Sequence, residues 1–546
     1  MSLPRSSARP RLTGLHLGRL GQIVFWMMAA VALSRVIGYI RNAYIAYAFG
    51  ANKFVDVYVA AFTLPNWLNY LAAGGTLSIT FITLFSGYLA RGEEEEGYRV
   101  FSTVLNFLFL FLATGVALGE WLAPRLLRLY LPAFSPAQLA LCIRLTRILL
   151  PAQICFGLGA ILSALLYARG RFFLPAVAPL VYSLFVIFGG VLLRARLGID
   201  SLAWGALAGA LLGPLLLPLA GARQAGLRYF FQLRLRHPGF REWLRLTWPL
   251  MIGVTLVSAD DWIMQPLAAH VHGLISLLNY AKRLDYVPIA VLGQAVGQAG
   301  MPFFARLASE GDWKGFGVTL ERTVWRTAAG ALLVSSAMAA LSLPLVRLIY
   351  QRGLFLPAAA RATAFYLALF LLALVFWSVQ NLYARAFYAA GNTLTPMLAG
   401  TLLTAAMIPV YIFFAHRWRG LGLVLASDLG IALYAVLLGW LLSRRGLLLH
   451  PRRRRGQLAR LLLLCLVAGG AALALVRLLE PARYRWLPEL GVLTLAGLVW
   501  MLLAALLARA LRLDPLLREA MSLLRRAALK LGWLKPDARD DAPWRA

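Results

Sequence analysis

The sequence predicts an all-α polytopic membrane protein with about fourteen transmembrane helices, arranged as two six-helix lobes plus two extra C-terminal helices. Three observations support this prediction. Of the 546 residues, 61% are hydrophobic and only 14% are charged, whereas about a quarter of a soluble domain is charged. Apolar stretches of about 20 residues recur along the chain, which is the length that crosses a bilayer. Two short motifs also recur at nearly equal separations.

The apolar stretches define the predicted spans, and Gly and Pro inside them are tolerated where neighbouring helices satisfy the backbone. The first stretch follows a basic segment, residues 1–20, and shows no small-residue cleavage site, so we expect no cleavable signal peptide. The spans are centred near Arg35, Leu71, Leu110, Ile154, Val181, Leu211, Val254, Leu292, Ser335, Leu371, Thr404, Leu433, Leu466 and Leu498.

Loop charge predicts the orientation in the membrane. The net charge of +32 lies mostly in short loops beside spans, as in the basic segments 223–245 and 444–455. Cytoplasmic loops carry this excess of Lys and Arg, so we expect both termini in the cytoplasm and no nucleic-acid partner. The acidic run Glu93–Glu96 falls in the first cytoplasmic loop, where we expect a solvated turn.

The repeated motifs indicate a duplicated chain. The segment Pro124–Tyr130 resembles Pro344–Tyr350, and Leu166–Arg169 resembles Leu382–Arg385. Duplicated halves of six spans are typical of secondary transporters. We therefore assign residues 1–20 to a basic cytoplasmic N-terminus, 21–222 to an N-lobe, 223–238 to a basic cytoplasmic linker, 239–445 to a C-lobe, 446–509 to the last two helices and 510–546 to an amphipathic basic cytoplasmic tail.

Cations at membrane depth are the strongest functional signal. Arg35 and Arg41 lie inside the apolar stretch 23–50, and Lys282 and Arg283 lie inside a second stretch. A guanidinium at the bilayer centre costs at least ~3 kcal/mol, so it needs a partner or a role. Arg41 follows Arg35 by ~9 Å along a helix axis. Because arginine donates two parallel hydrogen bonds to phosphate oxygens, an anionic, phosphate-bearing cargo fits this pattern.

A structural alternative remains open for the same residues. The arginines would then be interhelical ion pairs, Arg41 with Asp56, and Arg283 with Asp285 or the pair Asp260–Asp261. That aspartate pair is equally consistent with a coupling cation, so the identity of any bound metal stays unknown.

No catalytic arrangement is evident, and we expect neither an enzyme nor a cofactor. Cys142, Cys155 and Cys465 fall in apolar segments without metal-ligand spacing. The histidines are scattered and the chain has no Walker loop.

Several motifs together resemble the MurJ (MviN) family of lipid II flippases, within the multidrug/oligosaccharidyl-lipid/polysaccharide exporter superfamily. The motifs that carry this resemblance are Ser34-Arg-Val-Ile-Gly-Tyr-Ile-Arg41, Phe49-Gly-Ala51, Ala60-Ala-Phe-Thr-Leu-Pro-Asn66, Leu166-Tyr-Ala-Arg-Gly-Arg-Phe172, Tyr280-Ala-Lys-Arg-Leu284 and Leu382-Tyr-Ala-Arg-Ala-Phe-Tyr-Ala-Ala-Gly-Asn-Thr-Leu-Thr-Pro396. They are spread over residues 20–450.

The resemblance implies a flippase that moves undecaprenyl-pyrophosphate-linked peptidoglycan precursor across the bacterial inner membrane by alternating access. The two lobes would rock around a cationic cavity, and the last two helices would hold the polyprenyl tail. The implied substrate-binding residues are Arg35, Arg41, Arg283, Asp56, Lys282 and Asn69. The implied partners are the glycolipid substrate, membrane lipids and a candidate coupling cation.

The match to the family pattern is incomplete. Asn69 and Tyr70 stand where the family usually has two arginines, and Lys282 replaces an acidic residue. Two alternatives therefore accompany the prediction. One is a flippase for another polyprenyl-linked oligosaccharide, and the other is a non-transporting membrane scaffold.

Overall fold

The computed structural model describes residues 15–71, 76–253, 259–448, 455–480 and 485–513. Every regular element in these ranges is helical, which confirms the predicted all-α class. The chain divides into two compact units. Unit 1 comprises Met1–Ser276 with Arg352–Phe355, and unit 2 comprises Leu277–Gln351 with Leu356–Ala546.

The described residues of unit 1 form twelve α-helices and the first turn of a thirteenth. They are α1 (Leu15–Phe49), α2 (Lys53–Ala60), α3 (Thr63–Leu71), α4 (Thr76–Ala90), α5 (Glu94–Tyr130), α6 (Pro136–Leu149), α7 (Ala152–Ala168), α8 (Phe173–Leu197), α9 (Asp200–Ala210), α10 (Leu217–Gln224), α11 (Pro238–Gly253) and α12 (Ala259–Ala268). A π-helical segment, Leu211–Leu216, joins α9 to α10.

Unit 2 begins inside α13 and continues to the end of the described chain. Its helices are α13 (Leu274–Pro288), α14 (Val296–Ser309), α15 (Trp313–Ala340), α16 (Ser342–Tyr350), α17 (Pro357–Phe370), α18 (Leu374–Ala389), α19 (Leu394–Arg444), α20 (Arg455–Leu478) and α21 (Trp486–Ala510). A π-helical segment, Ile289–Ala295, joins α13 to α14, and a 3₁₀ turn, Leu371–Ala373, joins α17 to α18.

The described helices account for many of the predicted spans. Nine helical stretches among the described residues, some made of two consecutive helices, are long and apolar enough to cross a membrane, or ten if α15 and α16, which meet at 66°, form one bent span. The helix α19 holds 51 residues and breaks at Arg419, where φ is 49°. Two consecutive predicted spans therefore lie within α19. The span centred near Val254 lies partly outside the described residues, and the count of fourteen stays a prediction.

The unit boundary and the predicted lobe boundary fall at different places. The first compact unit ends at Ser276, inside α13, whereas the predicted N-lobe ends at residue 222. Compact units reflect packing, whereas the predicted lobes reflect a sequence repeat. The six-helix lobes and their limits therefore stay a prediction. The predicted amphipathic tail lies almost entirely outside the described residues.

Glycine allows close packing of α8 on α9, and this packing fixes the α8 side chains that face α1. A Cβ atom on Gly205 would lie 2.6 Å from the carbonyl oxygen of Phe185, and one on Gly209 would lie 2.7 Å from that of Tyr182. Small residues of this kind let membrane helices approach closely.

The last two helices pack on α15 and α16 within unit 2. The Ser336 hydroxyl donates to the carbonyl oxygen of Cys465 on α20 at 2.7 Å and accepts from Trp500 Nε1 on α21 at 3.2 Å. A polar side chain therefore holds both helices to α15 inside an otherwise apolar interface.

Candidate functional site

Arg35 and Arg41 lie on α1 without a carboxylate partner among the described residues of unit 1. Arg35 is exposed and Arg41 is half-buried. Arg41 Nη1 lies 3.5 Å from Ser183 Oγ, and its guanidinium is 5.7 Å from the centroid of the Tyr182 ring. The neighbours of Arg41 on α8 are thus a hydroxyl and an aromatic face. Both orient a guanidinium without neutralising it.

The structural alternative proposed an ion pair between Asp56 and Arg41, but Asp56 has other partners. It is buried on α2, and its carboxylate oxygens accept hydrogen bonds from the backbone N–H groups of Gly273 and Ser276, the latter at 2.7 Å. The Ser276 hydroxyl donates to the carbonyl oxygen of Gly273 at 2.9 Å.

The Asp56 carboxylate therefore caps the N-terminus of α13 from another helix. The first N–H groups of a helix lack partners within it, and a negative charge is favoured at that end. Asp56 is therefore a bonded carboxylate, with its oxygens directed at Gly273 and Ser276.

The second cationic group lies on α13 in unit 2. Arg283 is exposed, and no described carboxylate of its unit lies within ion-pair distance. Lys282 is half-buried, with its ammonium 5.6 Å from the centroid of the Phe370 ring. Asp285 is buried, interacts electrostatically with Lys282, and has no hydrogen-bond partner on Oδ1 within the described part of the chain. The expected ion pair of Arg283 with Asp285 is therefore absent among the described residues of unit 2.

Asn69 is half-buried on α3 and is held by α7. Its Nδ2 donates to Gln153 Oε1 at 3.0 Å. The neighbouring helices bring together aromatic side chains that the sequence did not single out. Trp262 packs edge-on against Trp67 and Tyr70, and the Tyr130 hydroxyl donates to the Trp262 carbonyl oxygen at 2.8 Å. These side chains come from three distant segments, so no local pattern revealed them.

The described residues contain no group of three or more His, Cys, Asp and Glu side chains placed to hold a metal ion. The coupling cation stays a candidate from the sequence.

Comparison with known proteins identifies the family. The family model "Lipid II flippase MurJ" matches residues 45–488. The chain belongs to the MurJ lipid II flippase family. This finding confirms the resemblance that the motifs indicated. Together with the apolar helices, it shows that the chain is a multi-pass protein of the bacterial inner membrane.

Curated MurJ relatives match over most of their length. A probable lipid II flippase MurJ from Rhizobium tropici is 28% identical over 492 residues, covering 87% of this chain and 90% of the relative. The lipid II flippase MurJ of Burkholderia cenocepacia is 28% identical over 435 residues, covering 76% of this chain and 82% of the relative.

Solved structures show the same fold. A MurJ lipid II flippase in an inward closed conformation aligns with a TM-score of 0.72 at 22% identity, covering 89% of this chain and 99% of that one. An inward-facing multidrug resistance transporter of the MATE family aligns with a TM-score of 0.63 at 15% identity, covering 77% of this chain and 98% of the other. The helical arrangement of this chain is thus similar to that of both structures.

Proposed function

We propose that this chain moves lipid II, an undecaprenyl-pyrophosphate-linked peptidoglycan precursor, across the inner membrane by alternating access. One observation carries the mechanism beyond the family assignment. Arg35, Arg41 and Arg283 lie on apolar helices without a carboxylate partner among the described residues of their own units.

An unpaired guanidinium at membrane depth is costly unless it binds something anionic. The pyrophosphate of the cargo supplies that charge, and the guanidinium fork matches its oxygens. The polar head would bind to these cations while the polyprenyl tail stays in lipid beside α20 and α21. No bond is made or broken in this process, so the protein acts as a carrier rather than an enzyme.

The other predicted site residues have supporting roles in the proposal. Asp56 fixes the start of α13, which carries Arg283. Lys282 adds positive charge beside Phe370. Asn69 offers a neutral amide, which suits a sugar hydroxyl better than a phosphate.

We further propose that both termini face the cytoplasm, as the loop arginines predict. A net positive carrier would then be drawn inward by the inside-negative potential, by about 2.3 kcal/mol per charge per 100 mV. This force would favour the return of the empty carrier.

Complementation of a strain depleted of its own lipid II flippase tests the proposal. We expect growth with the unchanged chain and loss of growth with Arg35→Ala or Arg283→Ala at normal membrane abundance. Arg128→Ala is the matched control, because Arg128 is an exposed arginine at the end of α5, and it should support growth.

Each other outcome contradicts part of the proposal. Failure of the unchanged chain despite normal abundance would favour another polyprenyl-linked oligosaccharide as cargo. Loss of the Arg35→Ala and Arg283→Ala proteins from the membrane would favour a scaffold in which the arginines serve folding alone.

A further inference from the structure

The segment between α10 and α11, Ala225–His237, is a strap bound along the start of α5. It is non-helical, yet its backbone is fixed by side chains of α5. Tyr98 Oη donates to the Gly226 carbonyl oxygen at 3.1 Å, Ser102 Oγ accepts from Phe230 N at 3.0 Å, and Asn106 Nδ2 donates to the Gln232 carbonyl oxygen at 2.8 Å.

Further contacts hold side chains of the strap to the same helix. Gln232 Nε2 donates to the Arg99 carbonyl oxygen at 3.1 Å, and Tyr229 Oη donates to Asn106 Oδ1 at 2.7 Å. His237 Nε2 lies 2.6 Å from Glu96 Oε1, where the strap returns to the first turn of α5. The predicted basic linker is therefore an ordered part of unit 1.

The position of the strap relative to the bilayer follows from the length of α5. This helix has 37 residues, which is about 55 Å, whereas the hydrocarbon core is about 30 Å thick. The strap covers α5 only as far as Asn106, about 16 Å from Glu95 along the axis. Because Glu94 to Glu96 are acidic and polar side chains follow them, this stretch runs from water at its first turn into the level of the lipid head groups.

The exposed side chains of the strap are both apolar and basic. Phe231 is 96% exposed, and Leu233 and Leu235 are each 44% exposed. These residues alternate with exposed arginines, namely Arg228, Arg234 and Arg236. Apolar side chains that alternate with arginine at a membrane surface match a bilayer interface, with acyl chains for the former and lipid phosphates for the latter.

We propose that this strap docks on anionic phospholipid head groups at the bilayer surface. Phe231, Leu233 and Leu235 enter the head-group region, and Arg234 and Arg236 bind lipid phosphates. The bonds from Ser102, Asn106 and Arg99 hold the strap in the docked shape before any lipid binds, so little ordering is needed on binding. Lipid II transport is not needed for this docking, which depends only on insertion of the protein.

Fluorescent labelling of the full-length protein in nanodiscs tests the proposal. Cysteine is introduced as Phe231→Cys, with Leu233→Cys as a second position and Glu95→Cys as a water-facing control on α5. The native Cys142, Cys155 and Cys465 are buried, and labelling of the unchanged chain gives the background. Quenching is measured with nitroxide lipids and with iodide, in phosphatidylcholine alone and mixed with phosphatidylglycerol.

We expect labels at 231 and 233 to be quenched severalfold more by nitroxide lipid than by iodide, and the reverse for the label at 95. Phosphatidylglycerol should increase lipid quenching at 231. The variant Arg234→Gln/Arg236→Gln should lose most of that increase, whereas Arg128→Gln/Arg196→Gln, with the same change in net charge at exposed positions, should retain it.

Two results would overturn the proposal. One is equal quenching by iodide of the labels at 231 and 95 in both lipid mixtures. That result would make an acidic soluble protein the better candidate partner for this surface. The other is an increase with phosphatidylglycerol that survives Arg234→Gln/Arg236→Gln.

Discussion

Asp56 on α2 accepts a 2.7 Å hydrogen bond from the backbone N–H of Ser276, in the first turn of α13. The two residues are far apart in the sequence, so this contact ties the start of the cation-bearing helix to α2. Its carboxylate replaces the N-terminal cap that α13 lacks in its own sequence.

Removal of this cap should loosen the start of α13. We expect Asp56→Ala to cost about 0.5–2 kcal/mol and to speed amide hydrogen exchange over residues 273–277. Asp56→Asn should have a smaller effect, because one amide oxygen still accepts a hydrogen bond. Hydrogen exchange with mass spectrometry measures both.

Asp312 provides the control for Asp56, since it caps α15 by accepting from Gly315 N at 2.8 Å. Asp312→Ala should change exchange only at the start of α15. Unchanged exchange at 273–277 in Asp56→Ala would show that the carboxylate does not hold α13.

The sequence anticipated the helical class and the cations at membrane depth, because hydropathy and isolated charges are local signals. It did not anticipate the partners of the acidic run. Glu94 to Glu96 begin α5 instead of forming a turn, since negative charge is favoured at a helix N-terminus. Glu94 pairs with Arg169, and Glu96 lies beside His237. Those partners are more than seventy residues away, and only the packing of helices brings them together.

The predicted site shows the same division between local and distant information. Arg35, Arg41 and Arg283 are recognisable from their apolar surroundings alone. A glycine inside a helix often marks a bend or close packing, yet α1 continues through Gly38, and a Cβ atom there would meet nothing within 4 Å among the described residues. The sequence shows that a glycine is present but not what lies next to it.

A buried ionic cluster in unit 2 should be essential for stability. Arg347 is 4% exposed, and its Nη1 donates to Glu489 Oε1 at 2.8 Å, while its Nη2 binds Glu480. Since Glu489 is 1% exposed, Arg347→Met leaves a buried carboxylate without its partner, at a cost of about 3–5 kcal/mol. Thermal unfolding in detergent measures the loss.

Two further variants make this prediction specific. Arg361 also binds Glu480 but is 66% exposed, so Arg361→Gln should cost only about 0–1 kcal/mol. Arg347→Met/Glu489→Leu should recover much of the lost stability, because no charge remains buried without a partner. Equal losses for Arg347→Met and Arg361→Gln would contradict the role of burial.

The same cluster predicts a dependence of stability on pH. Glu480 lies between α20 and α21. Burial alone would raise its pKa, but the hydrogen bond from Arg361 and the charge of Arg347 outweigh burial and hold the pKa below its ordinary value. A lowered pKa in the folded state stabilises the protein above the unfolded pKa, about 4.3 for Glu, and this stabilisation disappears as pH falls through the folded value.

Glu480→Gln should therefore be less stable than the unchanged chain at pH 7, and the difference should shrink below about pH 4.3. Unfolding temperatures across this range measure it. Glu310→Gln is the control, because Glu310 pairs with Arg306 at an exposed position and should change stability little at any pH. A difference for Glu480→Gln that grows as pH falls would have the wrong sign.

Lys282 and Arg283 are neighbours on α13, yet they should fail in different ways when truncated. Lys282 is the cation that acts on buried Asp285, whereas Arg283 is exposed and has no carboxylate partner among the described residues of its unit. Lys282→Ala removes the positive charge that acts on buried Asp285 and should cost about 1–3 kcal/mol. Arg283→Ala should leave stability unchanged or raise it, because it removes an unpaired charge from an apolar helix, but it should abolish transport.

Thermal unfolding and complementation, measured on the same variants, separate these effects. Lys282→Ala/Asp285→Asn should regain stability, since the neutral amide no longer needs a cation. If Arg283→Ala lost as much stability as Lys282→Ala, the guanidinium would serve folding, and the anionic cargo would lose its proposed ligand in unit 2. Stable Arg283→Ala protein without transport would instead support binding of the pyrophosphate at Arg283. An unpaired guanidinium in the membrane is costly, and only binding of a cargo offsets that cost.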